Sequence, residues 1–142
     1  MENFKKLGLT ENLLKAIKAA NFEKPSEIQE KAIPLVLQGG DLIGKSATGS
    51  GKTLVFASAI IEKVKRGRGI QALVLTPTRE LAEQVTQSLR KFSEYYNLNI
   101  LDVYGGVSIN NQIQRIKNAE VVVGTPGRIL DQIGRASCRE RV

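Results

Sequence analysis

The chain has 142 residues, 42% hydrophobic and 25% charged, a composition that fits one compact globular domain or part of a larger one. With no histidine and a single cysteine, Cys138, it excludes Ser-His-Asp and Cys-His catalysis, a disulfide framework and a thiolate metal site. A formal net charge of +7 suits a polyanionic partner such as nucleic acid, although a basic surface kept for solubility gives the same count. No apolar run approaches a membrane span and the N-terminus has no signal-like hydrophobic segment, so a soluble cytoplasmic protein with no membrane partner is expected.

Along the chain, Thr10 is placed to cap a helix running through Leu13, Leu14, Ile17 and Ala20. Ser26-Glu27-Ile28-Gln29 has the capping-box spacing for a second helix, which Gly39-Gly40 ends. Asp41-Leu42-Ile43-Gly44 reads as a strand, followed by the turn Ser46-Ala47-Thr48-Gly49-Ser50-Gly51-Lys52-Thr53 and a helix over Leu54–Val64. Glycines at 49 and 51 let the backbone take φ > 0 and bring N–H groups close to an anion, and the helix start adds its positive end. Lys52 then reaches the β/γ-phosphates of a nucleotide and the Thr53 hydroxyl ligates Mg²⁺. The strict P-loop pattern has glycine where Ser46 stands, and an ordinary surface loop is the alternative; the strand–turn–helix context favours phosphate. Lys63, Lys65, Arg66 and Arg68 read as solvated cations near a helix end, with an extra RNA patch as the other reading.

Further on, Gln71–Thr76 is a short buried-type strand that Pro77 stops, and a helix from Thr78 to Tyr95 carries Leu81, Val85, Leu89 and Phe92 on one face. A strand at Leu98–Tyr104, a turn at Gly105-Gly106, a helix near Ser108–Lys117, a strand at Glu120–Gly124 and a helix opened by Thr125-Pro126-Gly127-Arg128 follow. This alternation is that of an α/β fold, a parallel sheet flanked by helices, in which every strand-to-helix turn lies on the carboxyl edge. The P-loop turn, Pro77-Thr78-Arg79, Gly105-Gly106 and Thr125–Arg128 are therefore expected on one rim suited to backbone phosphates. Taken singly, Thr before Pro is an ordinary helix start, and Arg79 can simply pair with Glu83 one turn later. Asp102 reads as a strand residue, since no glutamate follows it.

Ile133-Gly134-Arg135-Ala136-Ser137-Cys138-Arg139-Glu140-Arg141-Val142 continues no earlier pattern and reads as one frame of a common short-read sequencing adapter, translated by accident. Setting aside its three arginines and one glutamate lowers the formal charge from +7 to +5.

Residues 4 to 132 resemble the first RecA-like domain of a DEAD-box RNA helicase. Asn21-Phe22-Glu23-Lys24-Pro25-Ser26-Glu27-Ile28-Gln29 is similar to that family's Q motif, with Phe4 as its upstream aromatic and Asn21 where the family usually has glycine. Motif I at Ala47–Thr53, Ia at Pro77-Thr78-Arg79-Glu80-Leu81-Ala82, GG at Gly105-Gly106 and Ib at Thr125-Pro126-Gly127-Arg128 follow in the family's order. The resemblance implies an incomplete three-layer RecA-like P-loop fold: a Q-motif region at 1–30, a partial ATP-binding domain at 31–132 and an artefactual tail at 133–142. It implies ATP as cofactor, with Gln29 on the adenine edge, Phe22 stacked on the ring, and Lys24, Ala47, Thr48, Gly49, Ser50, Gly51, Lys52 and Thr53 completing the pocket. It also implies Mg²⁺ on Thr53, and RNA held by its backbone on Pro77, Thr78, Arg79, Gly105, Gly106, Thr125, Pro126, Gly127 and Arg128. No Asp-Glu-Ala-Asp follows the last strand, and the only aspartates are Asp41, Asp102 and Asp131. The chain then lacks the Mg²⁺ carboxylates and the second RecA-like domain, and is expected to be catalytically incompetent although its parent is an ATP-dependent RNA helicase. An ATP-gated RNA clamp or RNP-remodelling factor, and a P-loop ATPase acting on DNA or protein, are the alternatives.

Overall fold

A computed structural model describes residues 1–105 and 108–140, leaving out the side chains of residues 109 and 134–140. The chain divides into two compact units, Met1–Val64 with Ser88–Asn97, and Lys65–Gln87 with Leu98–Val142.

In the first unit α1 (Glu2–Lys5), α2 (Glu11–Ala19), α3 (Glu27–Gln38) and α4 (Lys52–Lys63) follow one another, with α3 packed on α4. Phe4, Leu13, Ile17, Ile33, Leu54, Ile61 and Leu89 are its large fully buried apolar side chains, most of them at the helical spacing the sequence shows. Thr10 precedes α2 as expected but makes no side-chain cap. Its hydroxyl donates instead to Glu62 Oε1 at 2.8 Å and its N–H to the same oxygen at 3.1 Å, while the Tyr96 hydroxyl closes on Thr10 Oγ1. A carboxylate is the stronger acceptor, so Glu62 of α4 takes over the helix start. Helix α3 ends at Gly39 in the left-handed conformation, φ 94°.

Residues 41–44 contradict the expected strand: they pair with no strand among the described residues, and Ile43 is 99% exposed. An extended apolar segment becomes a strand only when a neighbour supplies the ladder.

The second unit is built on a parallel sheet of β1 (Ala72–Leu75), β2 (Ile100–Val103) and β3 (Val121–Gly124), ordered β1-β3-β2. Ala72 pairs with Val121 and Ile100 with Val121, so β3 is the central strand and is buried along its whole length. Each strand is a residue or more shorter than expected, although Gln71 N–H to Glu120 O (2.8 Å) and Thr76 N–H to Gly124 O (2.9 Å) carry the bonding past β1 at both ends. Asp102 lies within β2, paired with Val123, as a strand residue should.

Helix α5 (Arg79–Phe92) follows β1, α6 (Ile109–Ile116) follows β2 and α7 (Pro126–Glu140) follows β3. Leu101, Val103 and Val122 form one face of the sheet and cluster with Ile116 of α6 and Ile129 of α7. Gly124 is needed there: a Cβ would stand 2.6 Å from the Val103 carbonyl oxygen and 2.8 Å from Ile129 Cδ1. No helix among the described residues is long and apolar enough to cross a membrane.

Candidate functional site

The turn at residues 46–53 ends on Gly51, the N-cap of α4, at φ 88°, with Gly49 at φ 79°. Both glycines are left-handed, as the sequence requires, but they differ in surroundings. A Cβ on Gly49 would meet nothing within 4 Å, whereas one on Gly51 would run into the Gln29 side-chain amide. Ser46 needs no glycine, because among the described residues only Asn21 and Asn97 are non-glycines with positive φ. Its hydroxyl lies 2.5 Å from that of Ser50 and ties the two ends of the turn. Asn21 takes φ 62°, which explains how it substitutes for glycine.

Lys52 leads the first turn of α4, and its ammonium donates to the Ser46 carbonyl at 2.6 Å and the Ala47 carbonyl at 2.8 Å. The cation is thus folded over its own loop, at the helix end where N–H groups lack intrahelical acceptors. Thr53 stands beside it, half-buried.

Gln29 is 1% exposed, and its amide is used on both sides. Its Oε1 accepts the Ser26 N–H at 3.0 Å, one arm of the expected capping box, and its Nε2 donates to the Gly51 carbonyl at 3.1 Å. Ser26 Oγ donates to the Ser50 carbonyl at 2.7 Å. The start of α3 is therefore stitched to the turn by two side chains, a coupling that the sequence signalled only as a helix cap. Phe22 is half-buried with its ring edge-on to Phe92, centroids 5.9 Å apart, and Lys24 is exposed. Phe4 is fully buried in the core of this unit.

In the second unit the ends of β1, β2 and β3 lie together on the carboxyl edge of the sheet, as parallel pairing demands. After β1, Thr78 Oγ1 accepts the Leu81 N–H at 3.2 Å, capping α5, while Pro77, Thr78 and Arg79 are exposed. Arg79 Nε donates to Glu83 Oε1 at 3.3 Å, and its guanidinium lies 4.5 Å from the centroid of the Tyr104 ring. That pairing with Glu83 first, and Tyr104 beside it, holds the guanidinium still further above its ordinary range. Burial, then the hydrogen-bonded Glu83 carboxylate, pushes the Tyr104 phenol up. After β2 comes Gly105; Gly106 lies outside the described residues. After β3, Thr125 accepts the Ile129 N–H on its carbonyl at 3.1 Å and Pro126 opens α7. Gly127 is exposed, and Arg128 is half-buried with no ion pair among the described residues.

Gly105 and Gly127 stand apart from the other glycines of the site. Neither has positive φ, and a Cβ on either would meet nothing within 4 Å. Neither backbone conformation nor packing among the described residues requires glycine at these two positions.

No group of three or more Cys, Asp or Glu side chains is gathered to hold a metal among the described residues. The donors present fit a phosphate at residues 47–53. For a divalent cation they offer hydroxyls, that of Thr53 among them, and no carboxylate.

Residues 26–141 match the family model described as DEAD/DEAH box helicase. A probable ATP-dependent RNA helicase of Methanocaldococcus jannaschii is 49% identical over 136 residues, covering 95% of this chain but 37% of that protein. Among solved structures, a DEAD box protein from the hyperthermophile Methanococcus jannaschii superposes with a TM-score of 0.90 at 49% identity, over 94% of this chain and 37% of that one. Saccharomyces cerevisiae Dbp5 bound to RNA and ADP BeF3 gives 0.84 at 37% identity, over 94% and 34%. The chain thus spans little more than a third of the length of these relatives.

Proposed function

The chain belongs to the DEAD/DEAH box helicase family with its RecA-like α/β fold, and from that premise we propose that it is the nucleotide-pocket part of an ATP-dependent RNA helicase. In the complete protein, ATP binding and hydrolysis would be coupled to RNA unwinding. The observation that carries the nucleotide half of this reading is the turn at residues 47–53, with open space over left-handed Gly49 and a lysine at the mouth of α4.

On this reading, Ala47–Thr53 bind the phosphates through backbone N–H groups, and Lys52 exchanges the carbonyls of Ser46 and Ala47 for phosphate oxygens. Gln29 keeps the turn in register through Gly51 and presents its amide to adenine, with Phe22 against the ring and Lys24 alongside. Bound Mg²⁺ would neutralise developing phosphate charge. Thr53 is the ligand this chain offers it, and the carboxylates come from sequence beyond Gln132, as does the second RecA-like domain. The reading assigns no role to residues 133–142, over which the family match runs as far as residue 141. RNA lies along Pro77, Thr78, Arg79, Gly105, Gly106, Thr125, Pro126, Gly127 and Arg128, its backbone phosphates approaching the two glycines that the fold does not need. Because those contacts are to phosphate, binding is independent of sequence.

Calorimetry of ADP and GDP with this chain tests the nucleotide half. Preference for adenine by about 1–3 kcal/mol, lost with Gln29→Ala, is expected from a bidentate amide contact, whereas Lys52→Ala should weaken both nucleotides alike. Equal affinities for the two nucleotides would overturn the assignment of Gln29.

A further inference from the structure

We infer that Tyr104 is a positioning residue for Arg79, holding its guanidinium flat at the strand-end rim so that it meets an RNA phosphate ready-formed. The inference rests on the RNA-backbone reading of that rim and adds a residue which the motifs pass over.

Three observations converge on it. The Arg79 guanidinium lies 4.5 Å from the centroid of the Tyr104 ring, and its Nε–H is engaged by Glu83 at 3.3 Å. Contacts from two elements hold the guanidinium, whose five N–H donors outnumber those contacts and leave donors for an outside anion. The tyrosine is itself anchored. Its carbonyl accepts from Gln112 Nε2 at 3.3 Å, and Gln112 Oε1 accepts from Gln132 Nε2 at 3.4 Å. Both glutamines are buried, so the anchor runs through the packed faces of α6 and α7 rather than through solvent.

The physical consequence concerns entropy and geometry. A free surface arginine loses its rotamer freedom when it grips a phosphate, and many of its conformers present only one N–H. An arginine already stacked and paired has lost that freedom on folding, and what remains is a planar donor edge suited to bidentate phosphate contact. Arg128 has no such ring or carboxylate partner among the described residues, so the two rim arginines are held differently.

The experiment is a double-mutant cycle on the 142-residue chain, reading affinity and salt slope for an unstructured RNA, with thermal unfolding as the check on folding. Tyr104→Leu should weaken binding about two- to fivefold, the weight of an exposed cation–π contact, and flatten the salt slope. Tyr104→Phe, which keeps the ring, should restore both. In an Arg79→Ala background, Tyr104→Leu should change nothing further. Equal weakening by Tyr104→Leu in both backgrounds would show the ring touching RNA itself and overturn the positioning role. An effect of Arg79→Ala with none from Tyr104→Leu would also overturn it, leaving the rim reading intact. If Arg79→Ala and Arg128→Ala both leave affinity and slope unchanged, the rim reading falls and this inference with it.

Discussion

At residues 46–53 the chain already answers its own polar groups: Lys52 donates to the Ser46 and Ala47 carbonyls, Gln29 to Gly51, Ser26 to Ser50. At the strand-end rim of the second unit the opposite holds. Gly105 and Gly127 face open space, and Arg128 has no ion pair among the described residues. A ligand at the turn must exchange one set of hydrogen bonds for another, so its net gain there depends on how well phosphate oxygens replace carbonyls. A ligand at the rim meets open glycines and the Arg128 cation, with only Arg79 already held, by Glu83 and Tyr104. One region is folded over its site and the other presents it, and substitutions should separate them as stability effects from binding effects.

The largest contrast is between glycines. Gly51→Ala forces a Cβ into the Gln29 amide at a left-handed position, and should destabilise the chain by roughly 2–4 kcal/mol in denaturant unfolding. Gly105→Ala should leave stability within about 0.5 kcal/mol while weakening RNA binding. A Gly51→Ala protein of wild-type stability would remove the stitched-turn half of the comparison.

Next comes Gln29→Ala, which strips the Ser26 N–H and the Gly51 carbonyl of a partner beneath the surface. About 1–3 kcal/mol is the expected loss of stability from those orphaned groups. Retention of wild-type stability with loss of nucleotide binding would recast Gln29 as a purely ligand-facing residue.

The rim should respond in binding alone. Arg128→Ala is expected to flatten the salt dependence of RNA affinity by roughly one unit of slope, equally for unrelated RNA sequences, and to leave the melting midpoint where it was. Arg79→Ala should do the same, with at most a small stability cost from its solvent-exposed Glu83 pair. A change that depends on RNA sequence would replace phosphate contact by base readout.

How much of this the sequence carried depends on whether the cause was local. Left-handed Gly49, Gly51 and Asn21, the Ser26–Gln29 cap, the Gly39 stop and the three parallel strands follow from residue type and spacing, because backbone freedom and apolar periodicity are local properties. The partners were not legible. The Thr10 hydroxyl turns to Glu62, 52 residues away, instead of capping α2, and Gln29 doubles as a brace for Gly51 across 22 residues. Composition holds no record of such contacts. The strand expected at 41–44 fails for the same reason: four extended residues need a neighbour, and propensity cannot supply one. At the rim, motif spacing located Arg79 and Arg128 but not the Tyr104 ring beneath one of them.

A smaller effect lies on the alkaline side and belongs to the first unit. Burial, foremost, raises the Tyr96 phenol in the folded state, where its hydroxyl meets Thr10 and Glu62. An acid whose folded pKa lies above its unfolded value binds its proton more tightly when folded. Its contribution is therefore complete below the unfolded value near pH 10 and is lost as pH rises through the folded one. Stability should decline above about pH 10, and Tyr96→Phe should shallow that decline. An unchanged alkaline limb in the variant would assign the decline to other groups, Tyr104 first among them.

The smallest expected effect lies along the end of α7. Gln132 is buried and hydrogen-bonded to Gln112, while Ile133, the next residue, is 57% exposed although the α7 backbone stays helical to Glu140. If residues 133–142 are adapter-derived, nothing selected them to pack, and a chain end with little buried surface contributes little to stability. Removing them while keeping Gln132 should move the unfolding free energy by no more than about 0.5 kcal/mol and leave the Arg79 and Arg128 salt slopes intact. Helix propensity alone does not argue otherwise, since most helical stability in proteins comes from packing of an apolar face. A melting point lowered by several degrees would mean that Ile133 and its successors cover the face that carries Leu73 and Ile129. The packed surface of α7 would then extend beyond Gln132, and the buried pair of glutamines would no longer mark its end.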